Sequence, residues 1–205
     1  MALLAGTRFL TAAAVIVLLA TQLPATQTVD RLVAVVGTEP IFLSDVREVV
    51  RLQLLDPGGS LAPFAADAGT VPEQQALARM IDRRLVLAEA ARYSQAALAA
   101  ADIETAQRAW TAKFPQPPPH DPAVVRAFLS DSLRIERYID QRFTAASQPT
   151  REEARLFHQA NPASFPQPFE TMEDEARRRL AEERRVTMVR EWLRGLRERG
   201  QVRIL

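Results

Sequence analysis

The chain has 205 residues, of which 47% are hydrophobic, which is enough material for one domain with a buried core. Its 26 basic and 25 acidic residues leave a net charge of +1, and this argues against a general nucleic-acid-binding protein, which needs a basic excess to neutralise phosphates. The sequence contains no cysteine, so disulfides, a thiol nucleophile, a cysteine-based zinc site and a lipidated cysteine are excluded within it.

Residues 1–25 have the three parts of a secretory signal peptide. Arg8 supplies a positive charge, residues 10–19 form an apolar run, and a cleavage site ends at Ala25. The run is shorter than the roughly 18 to 20 residues that cross a bilayer, so we favour cleavage over an uncleaved signal anchor. We expect the mature protein to lie in the periplasm without a stable membrane span, since its arginine-rich composition is of a bacterial type.

The mature chain begins with a predicted hairpin and a first helix. Residues 31–36 are a β-branched run that predicts a strand, residues 37–40 have turn chemistry, and residues 41–43 predict a second short strand. Ser44 and Asp45 offer caps for a helix. Its apolar face would comprise Val46, Val49, Val50, Leu52 and Leu55. A break at residues 56–60 and a loop at 61–69 follow.

A second helix is predicted to begin after Thr70, which forms a capping-box pattern with Glu73. Three charged residues, Asp82, Arg83 and Glu89, fall off its apolar stripe, and we expect them to be solvated. The stripe itself has spacings of three and four residues and comprises Leu77, Met80, Ile81, Leu85 and Ala88.

The next predicted helix runs from Asp102 to about Lys113. Residues 114–122 contain successive prolines, which cannot continue a helix, and we interpret them as a stiff connector rather than a ligand for an SH3-type domain. Helical periodicity returns from Ala123 to about Phe143.

The C-terminal part of the sequence predicts two further helices and a strand. Thr150 and Glu153 form a second capping-box pattern before a short helix. A final helix is predicted over residues 171–199 with Gly200 as its C-terminal cap, and residues 202–205 predict a strand. Strands near both ends of the mature chain indicate that these ends pair, which would return the last helix onto the first ones.

The sequence offers no pattern for catalysis or metal binding. Neither of its two histidines, His120 and His158, has a second histidine at helical spacing, and no phosphate-binding loop or nucleophile elbow occurs. The carboxylate pairs at 152–153 and 182–183 are flanked by arginines, so we interpret them as solvated helix surface. We therefore expect no enzyme activity and no cofactor.

The aromatic residues are candidates for contact with another molecule. Phe128 and Tyr138 lie on helical stripes, for which core packing is the default interpretation. Trp110 and Phe114 end a helix beside the proline connector and are better candidates for partly exposed contacts, although core packing is the favoured interpretation for them as well.

Several segments together resemble the SurA/PrsA-like family of periplasmic chaperones. In that family a short hairpin leads into a helical chaperone domain, and a closing helix and strand return to it. The resembling segments are residues 29–37, 41–46, 80–90, 133–143, 149–154 and 161–165, with the final helix and strand. The resemblance covers nearly all of the mature chain.

One departure from the family pattern bears directly on activity. Family members usually carry a parvulin-type prolyl isomerase domain between the lead-in helix and the closing helix, but here only five residues separate Phe165 from Thr171. Because no domain can form from so few residues, isomerase activity is not expected.

The resemblance therefore implies a mainly α chaperone domain over residues 26–205, which binds unfolded secreted or outer-membrane polypeptides without catalysis. Trp110, Phe114, Phe128 and Tyr138 are the candidate client-binding residues. The alternatives are a dedicated subunit that binds one envelope partner and, least favoured, a residual isomerase. Either a monomer or a domain-swapped dimer fits the pattern.

Overall fold

The computed structural model describes residues 30–55, 72–93 and 97–205. Within these ranges the protein forms six helices and three short strands, which confirms the expected mainly α fold. The strands are β1 (Leu32–Val36), β2 (Glu39–Phe42) and β3 (Val202–Ile204). The helices are α1 (Leu43–Arg51), α2 (Pro72–Ala90), α3 (Ala100–Thr111), α4 (Pro122–Ser147), α5 (Arg151–Ala160) and α6 (Phe169–Arg199).

The three strands form one antiparallel sheet in the order β2-β1-β3, which confirms the predicted pairing between the N-terminal hairpin and the C-terminal strand. Val36 lies opposite Val202, and the Gly37 N–H donates to the Gln201 carbonyl at 2.9 Å. Gly37 has a φ of +61°, a conformation that glycine adopts without a steric penalty, so it suits the turn between β1 and β2. The sheet therefore holds the end of α6 beside the first helices.

The main core lies between the sheet, helices α1 to α4 and the C-terminal half of α6. Its most completely buried large side chains include Ile41, Leu52, Ile139 and Leu193. These come from β2, the end of α1, the second half of α4 and the last turns of α6, so distant parts of the sequence share one apolar interior.

A second, smaller apolar cluster lies between α5 and the first half of α6. Phe165 and Phe169 pack there against Ala154 and Ala176, and all four are buried. The predicted capping box at the start of α5 is confirmed, because the Thr150 hydroxyl accepts from the Glu153 N–H and the Glu153 carboxylate accepts from the Thr150 N–H. We call α5, together with the first half of α6 that packs against it, the α5 tip.

One charged residue lies in the core, contrary to the sequence-based expectation that it is solvated. Asp82 on α2 is 0% exposed, and both of its carboxylate oxygens accept hydrogen bonds of 2.7 Å from Arg197 on α6. Burial raises the pKa of Asp82, whereas the Arg197 guanidinium opposes that shift. The prediction was wrong because α6 closes over that side of α2, so the helix is covered on more than its apolar stripe.

Several predicted boundaries differ from the observed ones by a few residues. Glu39 and Pro40 belong to β2 rather than to the turn, and α4 begins at Pro122 and extends beyond Phe143 to Ser147. The Asp121 side chain accepts from the Ala123 N–H at 2.8 Å, and this cap explains the earlier start of α4.

Gly200 ends α6 as predicted, but not in a left-handed conformation. Its φ is −73°, which any residue can adopt. Glycine is suited to this position for another reason, since an added Cβ would lie 2.6 Å from a Leu85 methyl group and 2.8 Å from the Leu196 carbonyl oxygen.

The signal peptide predicted at residues 1–25, the loop at 61–69 and the Thr70 cap lie outside the described residues. Among the residues that the structure describes, no helix is both long enough and apolar enough to cross a membrane.

Candidate peptide-binding groove

A groove of about 1070 Å³ lies where the two ends of the described chain meet. Its walls come from the β1–β2 turn, α1, α2, the first half of α4 and the end of α6. The hairpin and the β1–β3 pairing position these elements, because they bring residues 199–201 next to residues 36–39. We refer to this feature as the groove.

The α4 wall of the groove is apolar. Val124, Ala127 and Phe128 face it with the helical spacing of three and four residues. The Val124 side chain is 47% exposed, although it is a large apolar residue. On the facing side, α2 contributes Leu87, and Ala91 follows directly after this helix. The groove therefore presents apolar surface that the described residues leave exposed.

Most charged residues around the groove are neutralised within the protein. Arg84 pairs with Glu39, and Arg92 pairs with Glu89 at 3.1 Å. Glu48 and Asp131, which also line the groove, bind arginines on their own helices at 2.5 and 2.8 Å. Such exposed pairs contribute little stability, but they leave the lining close to electrically balanced.

Arg83 differs from these residues in its surroundings. Its guanidinium lies 3.7 Å from the centroid of the Phe128 ring and donates to the Ser132 hydroxyl and the Phe128 carbonyl, each at 3.0 Å. The side chain is half-buried, and burial lowers its pKa to about 10, so it remains protonated at neutral pH. No carboxylate among the described residues lies within 4 Å of it, and Asp131 attracts it only from a longer distance.

Two other charged residues in the groove lack an ion-pair partner within the described part of the chain. Arg199 is exposed at the end of α6, and its guanidinium lies along its own helix near Gly195. Asp45 is used as a helix cap, because its carboxylate accepts from the Phe42 N–H at 3.0 Å. Within the described ranges, the groove residues without an ion-pair partner are therefore two cations, Arg83 and Arg199, and one anion, Asp45, which binds a backbone N–H.

The four aromatic residues singled out from the sequence do not form one site. Phe128 lines the groove and is partly buried. Trp110 is only 4% exposed, and its Nε1–H donates to the Leu52 carbonyl at 2.8 Å, so it is a core residue rather than a partly exposed one. Tyr138 is 5% exposed, and Phe114 packs edge-on against Trp110. Of these four residues, Phe128 is the one that lines the groove.

Both histidines and three of the four glutamates at 152–153 and 182–183 have partners within the protein. His120 Nδ1 donates to the Pro118 carbonyl, and His158 Nε2 donates to the Gln167 carbonyl, each at 2.8 Å. Glu153 caps α5 and binds Arg184, and Glu182 pairs with Arg185. Among the described residues, no group of three or more His, Asp or Glu side chains could hold a metal ion.

Sequence reasoning did not identify Arg83 as a residue of the groove. The periodicity of α2 places Arg83 off the apolar stripe and predicts that it is solvated, whereas in the structure its side chain is half-buried. No sequence pattern marks Arg83 as a residue of the groove, because periodicity does not indicate which helix packs against that side of α2.

Comparison with known proteins adds no relative to this description. No protein-family model matches the chain, and neither the curated proteins nor the solved structures include a significant match.

Proposed function

We propose that this protein is a non-catalytic chaperone of the bacterial periplasm that holds unfolded secreted or outer-membrane polypeptides in the groove. The observation that carries the proposal is the groove itself, which combines charged residues with an apolar wall that the described residues leave uncovered. The resemblance of the sequence to SurA-like chaperones supports the same function.

The lining of the groove suits promiscuous binding. Apolar side chains such as Val124 and Phe128 can contact different client residues without a strict geometric requirement, whereas hydrogen-bond readout would demand one sequence. Each contact is weak, and binding has to offset the entropy lost when an extended client becomes ordered. Affinity for any one segment should therefore be modest.

Dilution of a urea-unfolded outer-membrane barrel, with and without the purified protein, tests this function by light scattering. We expect near-stoichiometric protein to suppress scattering, and to do so again for a second, unrelated barrel. Val124→Glu should weaken this suppression, because it places a charge on the apolar wall. Leu156→Glu is the control, since Leu156 is also exposed, at 57%, but lies on the α5 tip and does not line the groove. Undiminished scattering with both clients would contradict the proposal.

The proposed location is tested separately. We expect the full chain, expressed in a Gram-negative bacterium, to appear in the periplasmic fraction with Thr26 as its first residue. Mass spectrometry of the intact protein measures this directly. A retained N-terminal segment together with membrane association would instead support a signal anchor.

A dedicated subunit that binds one envelope partner is the second candidate. It is favoured by the apolar side chains beside the open edge of β3, where Ile204 and Leu205 are 68% and 72% exposed. Such an edge can add a strand from a partner. Co-purification of one protein at a constant ratio, without protection of unrelated barrels, would distinguish this function from a general chaperone.

A further inference from the structure

The cation at Arg83 is held in place by the protein, but no carboxylate among the described residues forms an ion pair with it. The Phe128 ring, the Phe128 carbonyl and the Ser132 hydroxyl together fix the guanidinium at the α4 wall of the groove. A half-buried charge loses hydration, and this loss is offset most effectively by an opposite charge with hydrogen-bond geometry. Two of the contacts at Arg83 are hydrogen bonds to uncharged oxygens, so an anionic partner would add an ion pair that the described part of the chain does not provide.

The rest of the groove lining narrows the choice of anion. Apolar side chains also lie close to Arg83: the Phe128 ring contacts its guanidinium, and Leu87 follows it by one turn of α2. A small inorganic anion would leave these apolar contacts unused. A carboxylate carried by a polypeptide that also presents apolar side chains would use both features at once.

A side-chain carboxylate fits better than the terminal carboxylate of a client. Terminal carboxylates are commonly held by free backbone N–H groups. The Gly37 N–H, in the turn that borders the groove, already donates to the Gln201 carbonyl at 2.9 Å. The charged neighbour Arg84 is not an alternative anchor, since it is paired with Glu39.

We propose that the groove selects extended client segments in which an aspartate or glutamate lies among apolar residues, and that the carboxylate of this residue docks on Arg83. The inference rests on the proposed function, because it names the class of segment that the groove would hold. Arg199 at the end of α6 adds a second positive charge without an ion-pair partner among the described residues, and this charge favours acidic over basic segments.

Two fluorescently labelled peptides with amidated C-termini test this selection. They are short, extended and apolar, and differ only in one central residue, which is glutamate in one and glutamine in the other. Fluorescence anisotropy with the full chain should give about tenfold tighter binding of the glutamate peptide at low salt, as expected for one charge-assisted hydrogen-bonded pair. About 1 M salt should reduce this preference, because it screens exposed charges over a few ångströms.

Variants then assign the preference to Arg83. Arg83→Gln should bring the two peptides to within about twofold of each other while the glutamine peptide still binds. Arg84→Gln is the matched control, because Arg84 is the next residue of α2 and lines the same groove but is already paired with Glu39; it should keep the tenfold preference. If Arg83→Gln does not fold, as judged by circular dichroism, Arg83→Lys keeps the charge and should retain a reduced preference.

Each result bears on one proposal or the other. Equal binding of both peptides by the wild-type protein overturns the role of Arg83 and leaves the chaperone function intact. Persistence of the preference in Arg83→Gln also overturns it. A glutamine peptide with a free C-terminus that binds as tightly as the amidated glutamate peptide overturns the choice of a side-chain carboxylate. Failure of all peptides to bind contradicts the proposed function itself.

Discussion

Asp82 and Arg197 form an ion pair between residues 115 positions apart in the sequence, and their two side chains are in different environments. The Asp82 side chain is fully buried, whereas 39% of the Arg197 side chain remains exposed. Water can therefore replace the lost partner of Arg197 more readily than that of Asp82. This asymmetry leads to a prediction about which partner the protein can lose more easily.

We expect Arg197→Gln to lower the free energy of unfolding by about 3 kcal/mol, because it leaves a buried carboxylate without its charged partner. Asp82→Asn should cost less, about 1 to 2 kcal/mol, since the amide still accepts one hydrogen bond and Arg197 reaches solvent. Urea unfolding measures both. Equal losses in the two variants would contradict the asymmetry.

The loss of stability in Arg197→Gln should also depend on pH. Burial raises the pKa of Asp82 above its unfolded value of 3.8, and removing Arg197 takes away the effect that opposes this. The folded variant then binds a proton more readily than the unfolded chain, so its stability falls as pH rises through the folded pKa. We expect a smaller loss at mildly acidic pH than at neutral pH. The double variant Asp82→Leu with Arg197→Met, which removes both charges, should not show this dependence.

Glu153 at the start of α5 should titrate well below an ordinary glutamate. The Arg184 guanidinium and the Thr150 N–H bind its carboxylate and lower its pKa from 4.5 to about 2. A lowered folded pKa contributes stability above 4.5 that is lost as pH falls toward 2. NMR titration of the side-chain carboxyl measures this value. Arg184→Gln should raise the pKa, whereas Arg185→Gln should leave it unchanged because Arg185 pairs with Glu182 and Asp140.

Two glycines, one inside α6 and one directly after it, provide a matched test of where the chain needs a residue without a side chain. Gly195 lies inside the helix, where an added Cβ would meet only the flexible end of the Arg199 side chain. Gly200 follows the helix, where an added Cβ would meet the Leu196 carbonyl oxygen at 2.8 Å. The two positions should respond oppositely to the same substitution.

We expect Gly195→Ala to stabilise the protein by up to about 1 kcal/mol, because alanine is the better helix former. Gly200→Ala should destabilise it by about 1 to 3 kcal/mol, because backbone and Leu85 have to move apart. Thermal unfolding of the two variants and of the wild type measures both changes in stability. A stabilised Gly200→Ala would show that the end of α6 adjusts without cost.

The two apolar clusters should differ in how easily they open. The main core joins the sheet with five helices, whereas the α5 tip is held by the small cluster around Phe165. Local opening free energy follows the amount of buried apolar contact, so the tip should open without unfolding the rest.

We expect amide hydrogen exchange to be faster in α5 than in the second half of α4. Phe165→Ala should accelerate exchange in α5 and leave the exchange of α4 unchanged. Mass spectrometry of peptic fragments resolves these segments. Uniform acceleration across both helices would show that the two clusters unfold as one unit.

The order and type of the elements followed from patterns within short stretches of sequence. Each of these patterns acts over a few residues, so the sequence contained enough information to predict the elements. The patterns are the capping at Thr150, the helical spacing in α2, the proline break after Phe114 and the β-branched segments near both ends of the mature chain. Even the pairing of β1 with β3 was predicted, because a short strand near each end of the mature chain indicates that the two ends pair, and an edge strand of a hairpin offers unpaired backbone groups for this.

The burial of Asp82 and the position of Arg83 could not be read from the same patterns. Periodicity shows which side of a helix is apolar, but whether its polar side meets water or another helix depends on contacts between residues far apart in the chain. Helix α6 covers Asp82, and α4 provides the ring and oxygens that hold Arg83. The groove exists only after the hairpin, α2, α4 and the end of α6 have come together, so its charge pattern is a property of their packing.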